Sequence, residues 1–148
     1  MSRVYLSWSK ILRVVQDISH RVKDIDYIVG IKRGGVIPAV LIASSLKISD
    51  IGFVWLKRYT DDKPPKPLGD KPELLEEDID DVTGRNILLV DDIARTGKTF
   101  KEGERILIDK GARKVVKAVI VLKENALFKP DLYGLVMKSC PIFPWEKN

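Results

Sequence analysis

The sequence predicts an α/β fold with an open parallel sheet, and three stretches carry that prediction. Asn86 to Thr99 holds an apolar run, two adjacent carboxylates, a polar turn with one glycine and a helix start, in that order. Tyr27-Ile-Val-Gly30-Ile31 is a second apolar run, followed at once by Lys32-Arg33-Gly34-Gly35 and a helical segment over Val36 to Leu46. Val115 to Leu122 is the most β-prone run of the chain and reads as a strand buried on both faces, as parallel sheets require. A strand ending in Asp91-Asp92 delivers two acceptors to the carboxyl edge of such a sheet, where open α/β folds place their ligands.

The elements follow in order along the chain. Ser7 precedes Ile11, Leu12, Val14, Val15, Ile18 and Val22, which recur at helical spacing, so a helix is predicted from Ser7 to about Lys23. His20 lies in that helix, away from the glycine-rich and acidic segments, and is read as non-catalytic. Ile51 to Leu56 is a strand at or near the sheet edge. Residues 57–80 then change character, with four prolines and eleven charged side chains beyond Arg58. They are expected to form a long mobile excursion, because a structureless stretch of that size in a compact domain is usually functional or disordered. Thr99 to about Lys110 is helical, with Gly111 as its stop. A last strand near Leu132 to Met137 leads into the tail Cys140-Pro-Ile-Phe-Pro-Trp-Glu146.

Composition narrows the function. A chain of 148 residues is about one domain by the usual size prior, and the expectation is a single unit over residues 1–148. No apolar run approaches a membrane span and the start lacks a signal-peptide core, so the expected compartment is the cytoplasm, with no membrane partner. One cysteine and one histidine are too few for a structural zinc site, and any metal must be held by oxygen. The net charge of +5 is dispersed: +6 over residues 1–60, −5 over 61–80 and +4 over 81–148. No dense basic tract marks a nucleic-acid surface, whereas a polyphosphate substrate suits a positive field.

Two segments have the chemistry of anion sites. Arg95-Thr96-Gly97-Lys98-Thr99 offers consecutive backbone N–H groups at a helix N-terminus. Lys32-Arg33-Gly34-Gly35 combines charge, another helix start and two glycines that let backbone approach a ligand. A Walker A loop would need glycine five residues before Gly97, where Asp92 stands, so a P-loop nucleotidase is excluded. One carboxylate pair beside a phosphate cradle suits a ribose 5-phosphate.

Val90-Asp-Asp-Ile-Ala-Arg-Thr-Gly-Lys-Thr99 resembles the phosphoribosyl pyrophosphate motif of type I phosphoribosyltransferases, and Gly30-Ile-Lys-Arg-Gly-Gly35 resembles their pyrophosphate loop. The resemblance implies about five parallel strands with helices on both faces, plus a small hood and flexible loop. It assigns Asp91 and Asp92 to the ribose and to Mg2+, Arg95 to Thr99 to the 5-phosphate, and Lys32 to Gly35 to pyrophosphate. Residues 57–80, with Arg58 and Tyr59 at their base, take the place of the family's closing hood. Lys123 falls where six-oxopurine members place a donor to the purine O6. Residues 138–148 resemble the base-binding tail of the small xanthine-guanine enzymes, with Pro141, Ile142 and Glu146 as base contacts.

Two positions depart from the pattern. The tail's stacking tryptophan falls on Cys140, and the acid that accepts the purine N7 proton falls on Arg95, which cannot act as a base. Arg95 is therefore read as a catalytic electrostatic group. The implied reaction joins phosphoribosyl pyrophosphate to a purine base, giving a nucleoside monophosphate and pyrophosphate, in a homodimer or homotetramer. Two alternatives stay open: a silent phosphoribosyl pyrophosphate or nucleotide sensor, and a transferase for another base such as adenine.

Overall fold

A computed structural model describes residues 2–146; the end of the expected tail, 147–148, lies outside them. The elements are β1 (Arg3–Tyr5), α1 (Trp8–Arg21), β2 (Tyr27–Lys32), α2 (Val36–Leu46), β3 (Ile51–Lys57), β4 (Glu73–Asp78), β5 (Asn86–Ala94), α3 (Lys98–Asp109), β6 (Lys114–Lys123), β7 (Leu132–Met137) and β8 (Cys140–Ile142). Six strands form one sheet in the order β4-β3-β2-β5-β6-β7, parallel except for β4, which runs antiparallel to β3. The five expected parallel strands are thus present, and β3 lies second from the edge.

Side chains that alternate along β5 build the two halves of the core. Ile87 and Leu89 face α3, where they join Phe100, Ile106 and Leu107. Leu88 and Val90 face the other way, toward Ile11, Val14 and Ile18 of α1 and Ala39 and Ile42 of α2. Period-two alternation with both faces apolar is what places a strand between two helical layers. Ser7 starts α1 as expected, its hydroxyl accepting from the Lys10 amide at 3.1 Å.

The connections decide where a ligand sits. From β2 the chain crosses through α2 to β3 on one side, and from β5 it crosses through α3 to β6 on the other. Neighbouring strands β2 and β5 therefore send their helices in opposite directions, which opens a crevice at their carboxyl ends.

The excursion over residues 57–80 is more ordered than its composition predicts. Glu73–Asp78 pairs with β3 as an edge strand, and Tyr59 bridges Pro67, with Leu68 N–H donating to the Arg58 carbonyl at 2.8 Å. All six residues of β4 are exposed, four of them acidic; an edge strand of that kind is protected against pairing with other chains. Residues 61–71 between these pairings are all exposed.

A second, two-stranded sheet pairs β1 with β8 in parallel, from Arg3 opposite Cys140 to Tyr5 opposite Ile142. It ties the tail to the start of the chain. Behind it Phe143 is buried and stacks on Trp145 at 4.8 Å between ring centroids. No helix among the described residues is long and apolar enough to cross a membrane.

Candidate active site

The end of β5 carries Asp91 and Asp92 into the crevice. Their carboxylates turn back onto backbone: Asp92 N–H donates to Asp91 Oδ1 at 2.8 Å, and Ile93 N–H to Asp92 Oδ1 at 2.7 Å. Burial pushes both pKa values above the ordinary carboxylate range, well above it for Asp91, where the neighbouring Asp92 charge adds to the effect. Glu146 contributes repulsion to Asp92 from the tail. Two carboxylates held against their preference for solvent form a site that gains from a cation or from hydroxyl donors.

Three segments surround them in a cleft of about 300 Å³, among whose walls are Lys32, Arg58, Tyr59, Thr96 and Thr99. The first is the β2–α2 turn. Its glycines also approach the protein itself: a Cβ on Gly34 would overlap the Asp92 carboxylate, and one on Gly35 would overlap the Val90 carbonyl. The turn is therefore seated on the end of β5, with a cis peptide between Lys32 and Arg33. Lys32 Nζ reaches Glu76 of β4 at 3.1 Å, and the Arg33 guanidinium lies over the Trp55 ring at 5.6 Å.

The second segment is the β5–α3 turn. Gly97 caps α3 with φ +80°, a conformation that favours glycine, and a Cβ there would overlap Phe128. Phe128 in turn stacks on Phe100 at 5.6 Å. Thr96 Oγ1 receives the Lys98 amide at 3.3 Å and the Arg58 guanidinium at 3.0 Å. Arg58, at the base of the third segment, thus touches the turn that the sequence assigns to phosphate.

Lys123 stands at the end of β6. It is buried, and its ammonium donates to the carbonyls of Lys138 and Ser139, each at 2.7 Å. One of its three protons remains uncommitted. It lines a second cavity of about 370 Å³ with Arg95, Glu124, Asn125 and Lys138. Of the tail, Lys138 lines that cavity, and Pro141, Ile142 and Glu146 do not. Pro141 is buried in β8, Ile142 accepts from the Leu6 amide, and Glu146 accepts from the Phe143 amide at 3.0 Å.

The structure therefore gathers Asp91, Asp92, Arg95, Thr96, Gly97, Thr99, Lys32, Arg58 and Tyr59 at one cleft, with Lys123 next door and Pro141, Ile142 and Glu146 behind. Sequence reading singled out neither Glu76 nor Phe128, and held Lys138 only as the first residue of the tail. Glu76 is one acid among many in residues 73–78, and Phe128 and Lys138 stand in turns with no local pattern. No group of three or more acidic, histidine or cysteine side chains suited to a metal occurs among the described residues. The Asp91–Asp92 pair is the oxygen donor set at hand, and two carboxylates plus substrate phosphates is a common way to hold Mg2+.

Comparison with known proteins shows the family. Residues 4–148 match the family model of the phosphoribosyl transferase domain. An orotate phosphoribosyltransferase of Sulfurisphaera tokodaii is 34% identical over 119 residues, 78% of this chain and 54% of that protein. The transcriptional regulator GfcR of Archaeoglobus fulgidus is 29% identical over 135 residues, 84% of this chain and 67% of that protein. The crystal structure of a purine phosphoribosyltransferase from Pyrococcus horikoshii superposes with a TM-score of 0.85 at 26% identity, covering 100% of this chain and 97% of that one.

Proposed function

The chain belongs to the phosphoribosyl transferase family, and from that premise we propose that it transfers ribose 5-phosphate from phosphoribosyl pyrophosphate to a six-oxopurine. The products are a nucleoside monophosphate and pyrophosphate. One observation carries the reading: the half-buried Asp91–Asp92 pair lies between two helix-start turns, one seated on Asp92 through Gly34 and the other running on from Arg95 to Thr99. A diol site flanked by two anion sites has the shape of a phosphorylated ribose carrying a second phosphate group.

In this reading Asp91 and Asp92 accept from the ribose hydroxyls and offset the positive charge that develops at the sugar ring. The backbone N–H groups and hydroxyls of Thr96 to Thr99 hold the 5-phosphate, and Lys32 to Gly35 hold the departing pyrophosphate. Mg2+ held by Asp91, Asp92 and substrate oxygens supplies charge neutralisation. The protein's own part is positioning and electrostatic stabilisation, with no covalent intermediate. Residues 57–80 close over the cleft and exclude water. The uncommitted proton of Lys123 favours a carbonyl at purine position six over the amino group of adenine.

A regulator without turnover is the second reading, favoured by the likeness to GfcR and by Arg95 in place of the usual acid. Radiolabelled guanine, hypoxanthine, xanthine, adenine and orotate, each with phosphoribosyl pyrophosphate and Mg2+, separate the readings. Nucleotide formation from the six-oxopurines is expected; adenine or orotate as the preferred base, or binding without turnover, overturns the proposal.

A further inference from the structure

We propose that Arg95 and Lys138 select a base that is already anionic, so that the preferred acceptor is the monoanion of an acidic purine such as xanthine. This rests on the transferase reading above and deepens it. The cavity of about 370 Å³ beside the carboxylate cleft is lined by three cations, Arg95, Lys123 and Lys138, against one carboxylate, Glu124. Arg95 also lines the cleft that holds Asp91 and Asp92. A base in the cavity thus lies beside the ribose site. The Leu127 amide donates to the Arg95 carbonyl at 2.9 Å, which seats the turn after β6 against Arg95.

The cations are not equivalent. Lys123 spends two protons on backbone carbonyls. Arg95 and Lys138 are exposed, and among the described residues neither has a carboxylate within ion-pair distance. Their charge is free to meet a ligand's. An anionic base also resolves the proton balance. When a ring nitrogen lone pair forms the bond to the ribose C1, the C1–O bond breaks and its electron pair leaves with pyrophosphate. A neutral base must in addition lose one proton, and Arg95 cannot accept it. The monoanion has lost that proton before binding and gives a neutral nucleotide base with no net release. Cationic neighbours favour the charged form of a bound ligand as they do that of a side chain.

The test is kcat/KM for a series of six-oxopurines of graded N–H acidity, in the unaltered protein and in Arg95→Gln, Lys138→Gln and Glu124→Gln. The unaltered protein is expected to rise with base acidity and to prefer xanthine to hypoxanthine by about tenfold, the scale of one charge-assisted contact. Arg95→Gln and Lys138→Gln should each lower the value for xanthine about tenfold more than that for hypoxanthine. Glu124→Gln should keep the slope against acidity. A steeper slope in Glu124→Gln, with the loss greatest for hypoxanthine, would make Glu124 the proton acceptor and overturn the proposal. So would a preference for hypoxanthine, or equal losses for all bases in Arg95→Gln, which would make Arg95 a phosphate ligand alone. Turnover of purines without the slope sinks only this inference; turnover of no purine sinks the transferase reading with it.

Discussion

The two strand-to-helix turns at the crevice occupy equivalent places in the sheet and are stabilised in different ways. The β5–α3 turn is supported locally and from outside the ligand space: Gly97 takes the left-handed conformation, Phe128 packs where its side chain would be, and Phe100 backs Phe128. The β2–α2 turn is supported by the site itself, since Gly34 rests on the Asp92 carboxylate and Gly35 on the Val90 and Ile31 carbonyls. One turn is anchored to the core and the other to the Asp92 carboxylate and its neighbouring backbone. Their responses to the same substitution should differ accordingly.

The largest effects come from adding a methyl group to each turn. Gly34→Ala displaces the Asp92 carboxylate, and its turnover is expected to fall on the order of a hundredfold with little change in melting temperature, because losing one aligned electrostatic contact costs roughly 2 to 4 kcal/mol at the transition state. Gly97→Ala meets both a strained φ and the Phe128 ring. It should lower stability by about 1 to 3 kcal/mol as well as turnover. Equal melting temperatures for the two variants would erase the distinction between the turns.

Asp91→Asn and Asp92→Asn probe the platform on which the β2–α2 turn rests. Each should lower turnover on the order of a hundredfold. Each should also raise the melting temperature at neutral pH, because both pKa values are raised in the folded chain. Folding then favours the protonated carboxyls, and the folded chain binds more protons than the unfolded one between the ordinary carboxylate range and the raised one. Stability is therefore expected to fall as pH climbs through that window, less steeply in Asp91→Asn. Thermal melts across mildly acidic to neutral pH decide this, and a stability that rises with pH there would contradict the assignment.

Ligand binding should add a third contact to both turns through residues 57–80. Limited proteolysis is expected to cut between Lys63 and Lys71 in the free protein, where every residue is exposed, and to be suppressed by phosphoribosyl pyrophosphate with Mg2+. Identical digestion patterns would separate this segment from the site. The smallest effect concerns Lys32, which pairs with the half-exposed Glu76. Glu76→Gln frees that ammonium for pyrophosphate. The KM for phosphoribosyl pyrophosphate should drop by about two- to fivefold, the scale of a surface ion pair; an increase would show that Glu76 positions Lys32 for the ligand.

The sequence by itself determined the parts of this protein whose chemistry is local. Val90 to Thr99 is legible because strand, carboxylates, turn glycine and helix start are consecutive, and each follows from propensity and hydrogen-bonding capacity at its own position. Ser7, Gly97 and Gly111 mark their helix ends for the same reason. The tertiary structure alone decided contacts between residues distant in the chain. Glu73–Asp78 has no strand pattern, and it is a strand because β3 offers an open edge to pair with. That Gly34 rests on Asp92 appears only once strand order puts β2 beside β5. Lys123 reads as a free donor until β7 returns alongside β6 and brings the carbonyls of residues 138 and 139 to its ammonium. Local conformational preference is written residue by residue, whereas burial and partnership depend on which strands become neighbours, and that is a property of the whole chain.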